Sequence, residues 1–350
     1  MEAKELRARF REYFGKQGYN EIPADTLISD TFPTCFTISG GPNFVAKYLQ
    51  NPNPQPENSL VIQRCHRFWD VEKVGDGRHL SAFEMAVTTS FNGCSREEMF
   101  KAHYDFLTRE LGLNPNYFTV FVFGGGKCYG IEFKADEDVM RIWKKFGIDR
   151  FSIQQGFGLS PYHKREINTS FVANTVEPVG GPRTEICYGD LEIWTSVHYN
   201  TFIDYDPKTN SFRFKPIEES TVASGFGLER VLTAMNGYES IDQVFESVQE
   251  ISPIVLDHVR GLVRLAQDGA FDLSGRQNSS RRTILNRYLR NLYEHLDQST
   301  LRLLPKLVKT SVEIYRSETP ELVGNEKEIH SKIAQRAQRL GLQAQLPKRN

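Results

Sequence analysis

Arginines, histidines and rings gather in one stretch of the chain, Ser59 to Asn92. Arg64, His66 and Arg67 precede a charged loop containing Gly75 and Gly77, Arg78 and His79 leave it, and Phe83 and Met85 follow. A guanidinium is a planar fork that matches phosphate oxygens, and an aromatic ring can cover a flat heterocycle. Such a loop can grip a nucleotide by both ends. The same spacing also describes a solvated basic hairpin with Phe83 in a core, and a short motif alone does not decide between them. A second candidate is SGFGLERVLTAMNG, where Gly225 and Gly227 open a helix carrying Arg230. Glycines there let an anion approach the positively polarised helix end.

The elements that must position these residues follow from periodicity and punctuation. Leu60–Gln63 and Ser81–Phe91 have strand character and flank the loop as a long hairpin. Leu6, Phe10, Tyr13 and Phe14 fall on one face of a helix over residues 2–17. Residues 20–58 are rich in turns, with NPNPQPEN a surface loop. Ser95 and Glu98 have capping-box spacing before a helix over Arg96–Leu111. Tyr117–Phe123 reads as a strand ended by Gly124-Gly125-Gly126, a turn and not a phosphate loop; 136–148 reads as a helix and 150–180 as irregular. Two β-runs, Glu185–Tyr188 and Leu191–Phe202, come next, then a turn at Pro207–Asn210 and a short strand at Ser211–Lys215. From about Ile241 the period is helical: Ile254–Gln267, Thr283–Leu296, Leu301–Tyr315 and Glu326–Leu340. The expected fold class is α+β: an antiparallel-sheet domain over 1–240, then a basic helical domain over 241–350.

Composition bounds the rest. The 350 residues are 39% hydrophobic, with 24 Phe and 14 Tyr, enough for sizeable cores. No apolar run reaches the ~18 residues of a membrane span, and the charged N-terminus does not read as a signal peptide. Five cysteines without CxxC spacing point to free thiols, a cytoplasmic location and no zinc site. The net charge of −1 hides an asymmetry: residues 251–350 hold 17 Lys/Arg against 10 Asp/Glu, the remainder 26 against 34. A basic segment on an acidic body suits a polyanion, with a lysine- and arginine-rich helix surface as the competing explanation.

Taken together, the motifs resemble those of alanyl-tRNA synthetases, which are class II aminoacyl-tRNA synthetases. RCHRFWDVEKVGDGRHLSAFEM is similar to that family's motif 2. GGPRTEICYG with LEIWTSVHYN resembles its GPxxEI and LEIWNLVFMQ segments, VASGFGLERV its motif 3, and IVLDHVRGLVRLAQDG the start of its acceptor-binding helical domain. The likeness runs from about Leu6 to Glu328 in family order. It implies a class II synthetase-like antiparallel sheet flanked by helices, followed by an all-α domain, and activation of a small amino acid, alanine first, by ATP with Mg²⁺. By the same resemblance Arg67 sits on the α-phosphate and the substrate carboxylate, and Arg78 or His79 faces the outer phosphates. Phe83 covers the adenine, with Met85 and Gly227 beside the nucleotide. Arg230 holds the γ-phosphate and Glu192 helps to hold magnesium, although Glu192 also reads as an ordinary strand acid. Trp194, Val197, Ala223 and Gly225 match the amino-acid pocket.

The departures carry information too. Ala223 stands where the family has the aspartate that pairs with the substrate ammonium, so Asp190 or Glu185 substitutes or the amino end is bound differently. Ser274 replaces an asparagine that helps to read the acceptor stem, while Arg276, Arg281, Arg282, Arg287 and Arg290 cluster nearby for phosphate contacts. No zinc-binding editing segment or C-terminal dimerisation segment is recognisable, so a monomer is expected. The acceptor of the activated residue is expected to be a small molecule, with tRNA as the alternative. A catalytically silent RNA-binding relative is the third reading.

Overall fold

The computed structural model describes residues 1–51, 55–159, 166–167, 170–172, 179–206, 208–209, 211–218, 220–245, 251–316 and 322–342. It divides into two compact units that interleave along the chain. The first comprises Met1–Ala24, Ser39–Gln63 and Glu84–Gly237; the second comprises Asp25–Ile38, Arg64–Phe83 and Tyr238–Asn350. The motif 2 loop therefore clusters with the helical part of the chain, a grouping that a single cut near residue 240 does not capture.

The first unit is built on a sheet. Leaving aside strands of two or three residues, its strands are β1 (Glu57–His66), β2 (Ala82–Phe91), β3 (Phe118–Phe123), β4 (Phe151–Gln154), β5 (Val179–Tyr188), β6 (Leu191–His198), β7 (Thr201–Asp206), β8 (Ser211–Pro216) and β9 (Thr221–Gly227). The spatial order is β1-β2-β9-β6-β5-β7-β8, with β3 pairing β5 and carrying β4. The centre β2-β9-β6-β5 is antiparallel, as the sequence implied, whereas β4 joins β3 in parallel. Strand β4 lies in the 150–180 stretch that had read as irregular. Four residues with one alternation are too few for periodicity to register. The run Leu191–Phe202 is broken into β6 and β7 at Tyr199-Asn200. The turn expected at Pro207–Asn210 lies partly outside the described residues.

Helices α1 (Ala3–Lys16), α2 (Gly41–Gln50), α3 (Arg96–Asp105), α4 (Glu137–Lys145) and α5 (Leu228–Asn236) flank this sheet. The Ser95–Glu98 capping box is present, and the helix continues past Asp105 as one wide turn, Phe106–Glu110. The apolar stripe of α1 lies where its period predicts. Phe10 and Phe14 meet Phe106, and Phe10 meets Phe226 edge-on at 5.6 Å.

The second unit packs α6 (Pro253–Gln267), α7 (Ser279–Glu294), α8 (Gln298–Ile314) and α9 (Glu326–Arg339). Its core holds Val259, Leu262, Leu285, Leu289, Leu307, Val308 and Ile333, all buried. Arg67 caps a short 3-10 helix, Phe68–Lys73, within the expected loop.

Candidate active site

In the second unit, two hydrogen bonds and a ring fix Arg67. Its backbone N–H donates to Ser81 O at 2.8 Å, its Nε donates to Ile38 O at 2.9 Å, and its guanidinium lies 4.8 Å from the Phe83 ring centre. Ser81 is itself held in the interior. Its N–H donates to Asp257 Oδ1 at 3.2 Å and its hydroxyl meets Tyr288 OH at 2.6 Å. Burial, then Asp257, pushes the Tyr288 phenol well above its ordinary range, so it stays a neutral donor. Beside it His66 meets Phe36 and Tyr288 edge-on, with ring centres 5.5 and 4.6 Å away, and burial followed by His258 pushes it down to about 3. The two sequence candidates Arg67 and Phe83 are thus brought together on a buried support of Ser81, Asp257 and Tyr288.

Arg78 and His79 have a different arrangement. Asp76 accepts from both of their backbone N–H groups, at 2.8 and 2.9 Å, and from the His79 ring at 2.6 Å. Burial works to raise the Asp76 carboxyl, but these donors outweigh it and hold it below its usual range. Arg78 is exposed.

The basic residues of the helical unit divide as well. Arg281 is buried and donates to the carbonyls of Cys35, Ser29 and Phe32, pinning the 29–35 segment. It is a structural residue, a correction to its placement among the phosphate contacts. Arg282 donates to Gly275 O, and Arg287 pairs with Glu72 at 2.7 Å where both are exposed. Arg276, Arg290 and Ser274 are exposed, and the Ser274 carbonyl accepts from Asn278.

In the first unit the strand register sorts the remaining candidates. Directly opposed residues share a face of the sheet. Glu185, Thr195, Gly225 and Val87 therefore form one lateral row, and Arg183, Val197, Ala223 and Thr89 the next. Met85 opposes Gly227. Cys187 opposes Glu192, but Ile186 opposes Trp194, because the register skips Ile193 at a bulge. The bulge turns Glu192 and Trp194, two residues apart, to opposite faces. Trp194 is 0% exposed and packs against Phe100, Trp143 and His103 with ring centres 5.1–5.8 Å apart. It belongs to the core under the sheet and does not line a pocket with Val197 and Ala223. That corrects the placement of Trp194 in the amino-acid pocket: three residues apart on a regular stretch of strand, Trp194 and Val197 point to opposite faces.

On the other face, Glu192 accepts from Arg230 at 2.5 Å. Arg230 sits in the first turn of α5, whose N-cap is Gly227. A methyl group on Gly227 would meet nothing closer than Arg230 itself, at 3.9 Å, so the approach to the helix end is open. Arg183 and Glu185 form a second pair at 3.0 Å. Between them Cys187 is pushed up to about 12 by burial and then by the Glu192 and Glu185 carboxylates, so its thiol is inert as a nucleophile.

Two supporting acids escaped the sequence reading. Glu229, buried at the start of α5, accepts from the Glu84 backbone N–H with both oxygens at 3.2 Å. Glu84 in turn is ion-paired with buried Arg7 of α1. This network locks the helix that presents Arg230; the acidic residue beside Arg230 in GLER was its only sequence trace.

The family model described as tRNA synthetases class II (A) matches residues 5–340. The chain belongs to this class II synthetase family. Among curated relatives, alanine–tRNA ligase of Rubrobacter xylanophilus is 28% identical, over 84% of this chain and 37% of its own length. The alanine–tRNA ligases of Treponema pallidum and Borrelia hermsii are 27% and 26% identical, over 79% and 95% of this chain and 46% and 60% of theirs. The chain thus spans between about a third and three-fifths of the length of these relatives. A solved apo histidyl-tRNA synthetase from S. aureus covers 74% of this chain at 12% identity and a TM-score of 0.41, too distant to add to the family match. Among the described residues no helix is long and apolar enough to cross a membrane.

Proposed function

We propose that the protein activates a small amino acid, alanine first, with ATP. The carboxylate attacks the α-phosphorus, forming an aminoacyl-adenylate as the bond to pyrophosphate breaks. The observation that carries this reading is the family match over residues 5–340 together with the retained arginines of both nucleotide motifs, each anchored as a binding group needs to be. Arg67 stabilises charge developing on the α-phosphate, Phe83 covers the adenine, Arg230 takes the γ-phosphate, and Arg78 with His79 serves the outer phosphates. Such a displacement is catalysed by positioning and charge neutralisation, without a covalent role for the protein.

Magnesium fits one group. Glu192 is a carboxylate beside Arg230, and a magnesium–nucleotide site takes one or two carboxylates with phosphates and water completing the shell. No cluster of three metal-ligating side chains occurs among the described residues. When bound, the ion supplies neutralisation of phosphate charge. Arg230, already paired to Glu192, is poised to exchange that partner for a phosphate.

For the acceptor, exposed Arg276, Arg287 and Arg290 with half-buried Arg282 support salt-sensitive RNA affinity, while Ser274 offers no asparagine-type base contact. Transfer to a small nucleophile is therefore favoured over tRNA charging; tRNA charging is the second reading, favoured by the relatives' names. The test is ATP–pyrophosphate exchange across all amino acids with magnesium, followed by acceptor assays. Exchange with alanine, glycine or serine and poor charging of an alanine tRNA is expected. Exchange only with a large or acidic amino acid, or efficient tRNA charging, overturns the respective part.

A further inference from the structure

Ala223 removes a carboxylate from the sheet face that carries the amino-acid pocket in the reading above, and the glycines that open α2 lie close against that position. Ala223 is 5% exposed. A methyl group built on Gly41, at the start of α2, falls 3.0 Å from the Ala223 Cβ and 3.0 Å from the Tyr199 hydroxyl. One built on Gly40 falls 2.7 Å from Val87 Cγ2. The Gly40-Gly41 backbone thus approaches this part of the floor closely, so that positions 40 and 41 have no room for a side chain.

One row along, the same face carries Glu185 and Thr195, next to Gly225. The Glu185 side chain is only 13% exposed and paired with Arg183, which fixes its direction. The Thr195 hydroxyl is shielded from solvent and has no hydrogen-bond partner in the structure. A shielded hydroxyl without a partner costs free energy unless something bound there supplies one. Asp190, the other acid within reach by sequence, is exposed in the turn between β5 and β6, where it stays hydrated.

We propose that the substrate's ammonium is received by the Glu185 carboxylate, with the Thr195 hydroxyl as an accessory acceptor, and not at position 223. Glu185 is then the specificity residue that distinguishes an amino acid from its des-amino analogue, and Arg183 is the positioning residue that holds it. The inference rests on the amino-acid activation reading. It also places the ammonium two strands away across the sheet, on β5, relative to a pocket centred on position 223 on β9.

The experiment uses the full chain in pyrophosphate exchange, with the amino acid that the screen returns and its des-amino analogue as competitor, alanine against propionate in the expected case. Glu185→Gln is expected to raise the KM for alanine at least tenfold while the KM for ATP and the inhibition constant for propionate stay within about twofold. Glu185→Asp, which keeps the charge but withdraws it by one methylene, gives a smaller rise in the same direction and serves if the glutamine variant does not fold. Asp190→Asn leaves all three constants within about twofold. Equal losses of alanine and propionate affinity in Glu185→Gln would mark a merely structural residue and overturn the proposal, as would an unchanged alanine KM. An Ala223→Asp variant that binds alanine more tightly would also overturn it. Absence of exchange with every amino acid in the unsubstituted chain would instead overturn the activation reading, and this inference with it.

Discussion

Strands β5, β6 and β9 present two faces made from alternate residues of the same segments, and the faces have little in common. One buries Trp194 against Phe100, Trp143 and His103, with Phe226 of β9 stacked on Phe106. The other carries Arg183, Glu185 and Glu192, the last paired with Arg230. A single skipped residue, Ile193, decides which face Glu192 and Trp194 occupy. Helix α7 repeats the contrast on a smaller scale, with Arg281 buried in hydrogen bonds to main-chain carbonyls and Arg290 exposed. In both places residue type alone misassigns the role; what decides is the side of the element on which the residue falls.

Substitutions on the two faces should fail in different ways. Trp194→Ala removes the centre of an aromatic cluster and is expected to cost about 3–5 kcal/mol of stability in denaturant titration. If Trp194 instead lined a substrate pocket, the variant would keep its stability and lose affinity for the amino acid.

The buried face should also be the acid-sensitive one. His103 bonds Thr88 Oγ1 at 2.7 Å, and burial pushes its pKa down to about 3. The folded state therefore keeps it neutral while the unfolded chain takes up a proton below 6.5. The resulting stability is fully present above pH 6.5 and is lost as pH falls towards 3, by on the order of a few kcal/mol. A His103→Gln variant should show a flatter stability profile across that window. An unchanged profile would place the acid sensitivity elsewhere, with His66 of the second unit the next candidate.

On α7, Arg281→Ala leaves three carbonyls without their donor and should cost about 2–3 kcal/mol, whereas Arg290→Ala stays within about 0.5 kcal/mol. Only the second should flatten the salt dependence of RNA binding. Equal melting temperatures for the two variants would contradict the division of the helix.

At Arg230 a small stability effect is expected to accompany a large functional one. The Arg230–Glu192 pair is partly exposed, so Arg230→Ala should change stability by less than about 1 kcal/mol. Its exchange rate should nonetheless drop by about a hundredfold.

Much of the framework was legible in the sequence because its signals are local. The α1 stripe, the Ser95–Glu98 capping box and the glycine that opens α5, Gly227, all follow from residue type and spacing. Arg67 with Phe83, and Arg230 at the opening of α5, were singled out from the same kind of local pattern. What escaped was non-local. The bulge at Ile193, the Gly41 backbone lying on Ala223, the carbonyls that capture Arg281 and the Arg7–Glu84–Glu229 network all depend on partners far along the chain.

The central claim, that the carboxylate of an amino acid attacks the α-phosphorus of ATP, is tested most directly by an isotope transfer. Alanine labelled with oxygen-18 in its carboxylate is incubated with the protein, ATP, magnesium and hydroxylamine as a trapping nucleophile, and the nucleotide products are weighed by mass spectrometry. The account predicts AMP carrying one heavy oxygen, unlabelled pyrophosphate, and loss of that signal in Arg67→Ala. Formation of ADP with labelled phosphate, or unlabelled AMP, would contradict it.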